Sequence, residues 1–350
     1  MTRASIGLGL ALALGGCALD REGPADAPAA SAQEAATPAS GVTARALTTA
    51  DGRARSYWVY TPRGYDPSRS WPMVLVLHGG GGNAEGAQQT SFTPAAADKH
   101  GLIAVYPEGI GKSVLGRRLA TWNTGRCCGL AAEEHVDDVA FLRAVVDAVA
   151  RTHAIDRARV FATGISNGGM MSERLACEAP ELVAGVAVVG SPGYGPDCRA
   201  SAPVAVQVIH GTEDHCAEFS GGDRCGGCWE KAIGQALGAK VRERSFPCVA
   251  AHGQAASWRA FNRCAGQGAV TYQRGGATCT RHDGCTDGAL VELCVVEGGG
   301  HTWPGSQLPC DPSRRMCAAY VDVVGPTSRD LDANDAIAGF FADVAKARGR

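Results

Sequence analysis

The chain has 350 residues, 45% of them hydrophobic, which is enough for a substantial buried core and excludes a chain that is disordered throughout. Its 33 Lys and Arg residues nearly balance 35 Asp and Glu residues, so the formal net charge of -2 gives no electrostatic reason to expect nucleic acid as a partner. A single C-x-x-C at Cys225, with no second C-x-x-C and no H-x-x-x-H, favours disulfides over a metal site, and no motif calls for a cofactor.

The N-terminus has the pattern of an export signal. Arg3 is followed by an apolar stretch from Ile6 to Gly16, which is shorter than the roughly 18 residues of a membrane span. The letters "LGGC" that end at Cys17 resemble a bacterial lipoprotein cleavage box, in which the cysteine is lipidated. We therefore expect a signal peptide over residues 1–17 and a possible lipid anchor through Cys17, with ordinary signal cleavage further along as the alternative.

The next segment, residues 18–45, is rich in Ala, Pro and Ser and lacks apolar periodicity, which is typical of a flexible tether. A single folded domain is expected over residues 46–350. Apolar runs predict strands, and apolar residues spaced three and four apart predict helices. In chain order the strands are expected at 55–62, 72–79, 102–109, 159–164, 183–190, 204–211 and within 289–301, and the helices at 133–153, 168–178 and 331–347.

Strands that alternate with helices imply a mostly parallel sheet with helices on both faces, which is an α/β fold. After Gly211 the pattern is lost in a stretch rich in cysteine and glycine, to about Thr286. We interpret this stretch as a disulfide-rich insertion over the sheet edge rather than a second domain.

Without Cys17, 14 cysteines remain, an even number that indicates a disulfide framework in an exported protein. Cys225 and Cys228 are expected to bond to other partners rather than to each other. The adjacent residues Cys127 and Cys128 are each expected to reach a distant partner, because a ring between neighbours is strained.

Ligands of an open α/β sheet bind beyond the carboxyl ends of its strands, so functional residues should directly follow the apolar runs. Ser166 follows one run, inside the G-x-S-x-G of "ATGISNGGMM". Asp214 follows "VQVIHGTE" and His301 follows "LCVVEGGG". The chain order Ser, Asp, His is that of the α/β-hydrolases.

This constellation predicts acyl transfer. Ser166 would be the nucleophile, His301 the base that takes its proton, and Asp214 the acceptor that orients the imidazole. The oxyanion would bind the backbone N–H of Asn167 and a second N–H from the glycine run after His78, at Gly80 or Gly81.

Each of these residues also has a structural alternative. His301 could be a loop histidine bonded to backbone, and Asp214 could form an Asx turn. Trp122 and Trp303 could line an acyl or aromatic pocket or could simply pack in the interior. Structural roles are expected for four further residues, namely His78, His210, Asp137 and Asp138.

Several segments together carry a family resemblance: "VLHGGGGNAEG", "VYPEG", "WNTGRCCG", "VDDVAFLRAVV", "VFATGISNGGMMSERLACEAPE", "VIHGTED" and "GGGHTWPG". With them the chain resembles the polyhydroxybutyrate depolymerase and feruloyl esterase group of secreted α/β-hydrolases. The resemblance implies the α/β-hydrolase fold and an extracellular carboxylic-ester hydrolase, with the family's nucleophile, acid and base at Ser166, Asp214 and His301. It also implies a Cys264–Cys285 disulfide, and leaves Cys279 and Cys294 as a further possible pair.

The favoured function is therefore a serine esterase that acts through an acyl-enzyme on hydroxyalkanoate oligomers or on aryl and sugar esters. Strong adsorption to a solid polymer is not expected, because the chain ends soon after the closing helix. A serine peptidase and a catalytically silent surface-binding protein on the same fold are the alternatives.

Overall fold

The computed structural model describes residues 41–114, 117–194, 198–228, 245–307 and 315–349. These residues belong to one compact unit, Thr37–Arg350. The predicted signal peptide, the lipidation site Cys17 and the tether up to residue 40 lie outside the described residues. Within the described residues, none of the helices has the length and apolar character that crossing a membrane requires.

Buried apolar runs form the strands at the centre of the main sheet, and polar, more exposed segments form the strands at its two edges. In chain order they are β1 Gly41–Thr48, β2 Ala54–Thr61, β3 Trp71–Leu77, β4 Ile103–Pro107, β5 Ile110–Val114, β6 Arg117–Thr121, β7 Ile155–Ile165, β8 Gly185–Val189, β9 Ala205–Gly211, β10 Gly222–Gly226, β11 Ser245–Cys248, β12 Ala269–Arg274, β13 Ala277–His282 and β14 Val291–Val296.

Within the described residues, ten of these strands form one sheet in the order β1-β2-β4-β3-β7-β8-β9-β14-β13-β12. The six central strands, from β4 to β14, run parallel to one another, and the two strands at each edge are antiparallel. The pairs β5-β6 and β10-β11 form two small hairpin-like sheets of their own. This mostly parallel sheet is the α/β-hydrolase fold that the family resemblance implied.

Helices cover both faces of the sheet. They are α1 Ala84–Thr90, α2 Pro94–His100, α3 Gly129–Glu133, α4 Asp138–Ala150, α5 Asn167–Glu178, α6 Ala251–Phe261, α7 Arg315–Val324 and α8 Ala333–Ala347. One core packs α4, α5 and α6 on the first face through residues such as Phe141, Leu175 and Trp258. A second core packs α1, α2 and α8 on the other face around Phe92 and Phe341.

The structure differs from the sequence prediction at three places, two element boundaries and the content of the predicted insertion. β1 includes residues 41–45 of the predicted tether, because their backbone pairs with β2. The predicted helix 133–153 is observed as α4 Asp138–Ala150, because Asp137 caps its start by accepting from Ala140 N, a role in keeping with the structural one expected for it, while Glu133 is the last residue of α3. The predicted insertion also contains α6 and two strands, β12 and β13, that extend the main sheet beyond β14.

The disulfides partly follow the sequence analysis. Cys127 is bonded to Cys128 across a cis peptide, with Cα atoms 3.1 Å apart, so the expectation of distant partners is wrong. Cys225 and Cys228 do bond elsewhere, as expected. The other described pairs are Cys177–Cys198, Cys216–Cys228, Cys225–Cys248, Cys264–Cys285 and Cys279–Cys294, the last two being the pairs that the resemblance implies.

Candidate active site

Ser166 lies at a sharp turn between β7 and α5. Its backbone has φ 57° and ψ -122°, a conformation that costs a residue with a side chain about 1–3 kcal/mol. Two glycines make this turn possible, because a Cβ on Gly164 would lie 2.6 Å from the carbonyl oxygen of Leu77 and one on Gly168 would overlap the same atom. The G-x-S-x-G spacing thus lets the turn press against the end of β3 and leaves the Ser166 side chain partly exposed.

Asp214 and His301 are paired at the ends of β9 and β14. The imidazole Nδ1 of His301 donates to Asp214 Oδ2 at 2.7 Å, and the Asp214 side chain is fully buried. The loop that carries His301 is fixed by backbone bonds, with Glu213 N donating to Gly299 O at 2.9 Å and His301 N donating to Val324 O. This pairing leaves Nε2 as the imidazole nitrogen that can accept a proton.

The second carboxylate oxygen of Asp214 organises its own loop. Asp214 Oδ1 accepts from Cys216 N at 2.9 Å and from Ala217 N at 2.7 Å. Burial opposes the charged form, but the His301 imidazole and the hydrogen bonds outweigh it and hold the pKa of Asp214 well below its usual range. The Asx turn and the histidine pairing, which the sequence presented as alternatives, therefore coexist in one side chain.

The end of β8 joins the serine turn to the Asp–His pair. Ser166 N donates to the carbonyl of Val189 at 2.9 Å, and Gly190 follows directly. At Gly190, which has φ +50°, an added Cβ would lie 3.0 Å from Asp214 Oδ2 and 3.1 Å from His301 Nδ1. Ser166, Asp214 and His301 thus lie at the carboxyl ends of β7, β9 and β14, and the backbone at the end of β8 lies between them, where a side chain at position 190 would crowd Asp214 and His301.

Backbone donors lie beside the serine. Asn167 is the first residue of α5, so its N–H has no acceptor within the helix, and the helix dipole favours negative charge there. Gly81 N donates to Ala120 O at 2.8 Å. Its N–H is therefore not free to bind an oxyanion, and the prediction of Gly81 as an oxyanion donor is wrong. No described residue accepts from Gly80 N, and a Cβ on Gly80 would lie 3.5 Å from the Asn167 Cβ, so Gly80 remains the candidate for the second donor.

His78 is a structural histidine, as expected. Its Nδ1 is 2.9 Å from Gly79 O, and its Nε2 accepts from Gly109 N at 3.1 Å. Burial lowers its pKa to about 4, so the ring is neutral at neutral pH.

The two tryptophans do not line a substrate pocket. Trp122 is 0% exposed and its Nε1 donates to His78 O at 3.0 Å, while Trp303 is 2% exposed and donates to Asn334 Oδ1 at 3.0 Å. Neither indole has a free face, so the prediction of substrate contacts is wrong and interior packing, the alternative, is the role of both.

Two features of the site were missed by sequence reasoning. A structural role was expected for His210 but its contact with the site was not: its Nε2 lies 3.4 Å from Asp214 Oδ2, the oxygen that also accepts from His301, and 2.7 Å from Ala217 O. Gly190 had no motif to mark it beyond its position at a strand end in "VVGSPG".

The sequence matches known proteins over most of its folded part. The family described as "Esterase PHB depolymerase" matches residues 55–220. The "Putative esterase NocK" of Nocardia uniformis subsp. tsuyamanensis is 33% identical over 85% of this chain and 82% of its own length. "Feruloyl esterase B" of Piromyces equi is 26% identical over 71% of this chain and 42% of its own length.

Among solved structures, an acetyl xylan esterase from Aspergillus awamori is similar at a TM-score of 0.49 and 14% identity, over 74% of this chain and 94% of that one. The 33% identity to the putative esterase NocK over most of both chains, together with the family match across the serine turn and the aspartate-bearing strand, identifies the chain as a carboxylic-ester hydrolase of the esterase PHB depolymerase family.

Proposed function

We propose that the protein hydrolyses carboxylic esters through an acyl-enzyme on Ser166, with His301 as general base and Asp214 as the residue that orients it. The observation that carries this proposal is the 2.7 Å pair between His301 Nδ1 and Asp214 Oδ2 beside a serine held at a positive φ. A neutral hydroxyl is a poor nucleophile unless a base removes its proton as the new bond forms.

In the first half-reaction, Ser166 Oγ bonds to the acyl carbon while its proton passes to His301 Nε2. The backbone N–H groups of Asn167 and Gly80 donate to the oxyanion of the tetrahedral intermediate. When the intermediate collapses, the ester C–O bond breaks and the imidazolium returns its proton to the departing alcohol. A water molecule then repeats the steps on the acyl-enzyme and releases the carboxylic acid and free serine.

The charged Asp214 stabilises the imidazolium in both half-reactions. Because the pKa of Asp214 is held below its usual range, the carboxylate stays ionised at neutral pH. No metal or redox group takes part in this sequence of steps.

The experiment is hydrolysis of p-nitrophenyl acetate by the Ser166→Ala variant. We expect a loss of about 10⁴-fold or more in kcat, because the nucleophile is gone, while the thermal midpoint stays close to that of the wild type. Full activity in a folded Ser166→Ala variant would remove the proposal.

For the substrate, we propose soluble esters of an aryl or small acyl group with a sugar, or hydroxyalkanoate oligomers. Relatives named as feruloyl esterases and the family name itself support these two classes. A hydrolysis panel of methyl ferulate, acetylated xylan and hydroxybutyrate oligomers separates them by kcat/KM.

We also propose that the protein is exported, with residues 1–17 as signal peptide, residues 18–40 as tether and Cys17 as the lipid attachment site. The disulfides of the folded domain support this location, since such bonds persist in oxidising compartments. Mass analysis of the mature N-terminus from the native host would show whether the chain begins at a lipidated Cys17.

A further inference from the structure

The side chain of Asn167 has a place in the site that the mechanism does not use. Only the backbone N–H of Asn167 acts on the oxyanion, yet the residue is 3% exposed and its amide points into the loop that follows β6. A buried amide with both ends occupied fixes the backbone that bears it. This raises the question of what the loop holds in place.

The amide of Asn167 pairs with the backbone of Trp122 in both directions. Trp122 N donates to Asn167 Oδ1 at 2.8 Å, and Asn167 Nδ2 donates to Trp122 O at 3.0 Å. Trp122 in turn donates from Nε1 to the carbonyl of His78 at 3.0 Å, directly before the glycine run that contains Gly80. One chain of hydrogen bonds therefore connects the two proposed oxyanion donors.

The sulfur atoms of the Cys127–Cys128 disulfide lie beside the same side-chain amide of Asn167. Asn167 Nδ2 lies 3.5 Å from Cys128 Sγ and 3.8 Å from Cys127 Sγ. Cys128 N also donates to Trp122 O at 3.1 Å, so the loop returns to the carbonyl that Asn167 uses. Thr124 stabilises the same loop, because its backbone N and its Oγ1 both donate to Cys127 O at 2.6 Å.

We propose that Asn167, through its side chain, and the Cys127–Cys128 disulfide are positioning residues of the oxyanion hole. Together with Trp122 they form what we call the amide cradle. The cradle holds the Asn167 N–H at a fixed distance from the Gly80 N–H, so that both donors meet the oxyanion as it forms. This inference rests on the proposed acyl-enzyme mechanism.

The cradle should act on the transition state more than on substrate binding. Donors of an oxyanion hole work because they are aimed beforehand at the position where charge develops, and an error of about 1 Å in such a group can cost about 10²-fold in rate. The uncharged ester makes little use of these donors in the ground state. A loosened cradle therefore predicts a lower kcat with KM nearly unchanged.

The test compares two paired-alanine variants of the full-length protein on p-nitrophenyl acetate. Cys127→Ala/Cys128→Ala opens the cradle, and the matched control, Cys177→Ala/Cys198→Ala, removes a disulfide from the other end of the same helix, α5. We expect the first variant to lose about 10- to 100-fold in kcat with KM within about threefold. The control should keep its kcat within about twofold and show only a lower thermal midpoint.

A tetrahedral boronic acid adduct provides a second readout that a purely structural role would not change. Its affinity should fall in parallel with kcat in the first variant and stay constant in the control. An unchanged kcat and boronate affinity in folded Cys127→Ala/Cys128→Ala protein would overturn the inference.

The isosteric variant Asn167→Asp tests the cradle with all disulfides intact, should the cysteine variant fail to fold. It keeps the acceptor for Trp122 N and the backbone N–H, but it loses the donor to Trp122 O, so the same loss of kcat at constant KM is expected. Wild-type kcat in Asn167→Asp also overturns the inference. The Ser166→Ala variant distinguishes a failure of the acyl-enzyme mechanism from a failure of this inference. If the mechanism is right, Ser166→Ala is inactive whatever the cradle variants show.

Discussion

The two carboxylate oxygens of Asp214 have different hydrogen-bond donors. Oδ2 accepts from His301, and Oδ1 accepts from the backbone N–H groups of Cys216 and Ala217. The hydrogen bonds to Oδ1 fix the carboxylate in the plane that His301 needs, so the turn is part of the orientation of the imidazole.

The Asp214→Asn variant removes the negative charge of the carboxylate while it keeps the size and shape of the side chain. The amide can keep its oxygen on the Cys216 and Ala217 N–H groups, but its NH₂ would face His301 Nδ1 and select the wrong imidazole tautomer. We expect kcat to fall by about three to four orders of magnitude while the fold survives, as measured by steady-state kinetics and circular dichroism. The control is Asp137→Asn at the start of α4, where Asn caps as well as Asp. A kcat within tenfold of wild type in Asp214→Asn would contradict the orienting role.

At the residue scale, position along the chain was a better guide than residue type. Ser166, Asp214 and His301 were chosen because they follow apolar runs, and the parallel strands bring those run ends to one edge. Trp122 and Trp303 were chosen for their chemistry alone. Both indoles are buried and have polar partners from distant parts of the chain, the His78 carbonyl after β3 for Trp122 and Asn334 in α8 for Trp303, and no local pattern in the sequence reports such contacts.

At the scale of elements, the close packing of strand ends determines which positions must lack a side chain. The serine turn presses on β3, and the end of β8 presses on the Asp214–His301 pair. Gly190 shows this most directly, because it combines a positive φ with two polar atoms close to the position of a Cβ.

Gly190→Ala should impair catalysis by displacing His301 from its hydrogen bond. The new methyl group at 3.1 Å from Nδ1 is tighter than an ordinary contact, and the left-handed backbone adds about 1–2 kcal/mol of strain. We expect kcat/KM to fall at least tenfold on p-nitrophenyl acetate, together with a lower thermal midpoint.

Gly339→Ala is the matched control for Gly190→Ala. Gly339 lies on the exposed side of α8 with nothing within 4 Å of an added Cβ. The change should leave activity unaltered and stabilise the helix by about 0.5–1 kcal/mol. Equal activity in the two variants would show that the contact at Gly190 has no role in the site.

The central elements were predictable because their apolar runs are long and fully buried. β12 and β13 were not, since their sequences "AVTYQR" and "ATCTRH" are polar and lie at an exposed sheet edge where burial imposes little pattern. The break between α3 and α4 was missed for a related reason. The apolar spacing continues across it, and only the N-cap bond of Asp137 shows where the second helix begins.

At the scale of the whole molecule, disulfides fasten the part of the chain that has the weakest apolar pattern. Four of the six described pairs lie between Cys216 and Cys294, in and beside the predicted insertion. Small irregular segments of this kind bury too little apolar surface to order themselves without crosslinks.

Reduction should therefore destabilise the folded protein strongly. Loss of a native disulfide from a small exported domain typically costs about 2–5 kcal/mol, and several are lost together here. We expect a clearly lower thermal midpoint by calorimetry in the presence of a dithiol reductant. A midpoint that does not change, with thiol counting that proves reduction was complete, would count against the framework and against an oxidising compartment.

The most direct measurement of the central claim is covalent labelling with an alkyl fluorophosphonate. Ser166 Oγ should bond to phosphorus as fluoride leaves and His301 takes the proton, giving one adduct per chain, located at Ser166 by peptide mass spectrometry. His301→Ala should slow the labelling by about 10³-fold or more, because the serine then lacks its base. An active protein that is not labelled, or one labelled elsewhere with Ser166 free, would contradict the assignment of Ser166 as the nucleophile.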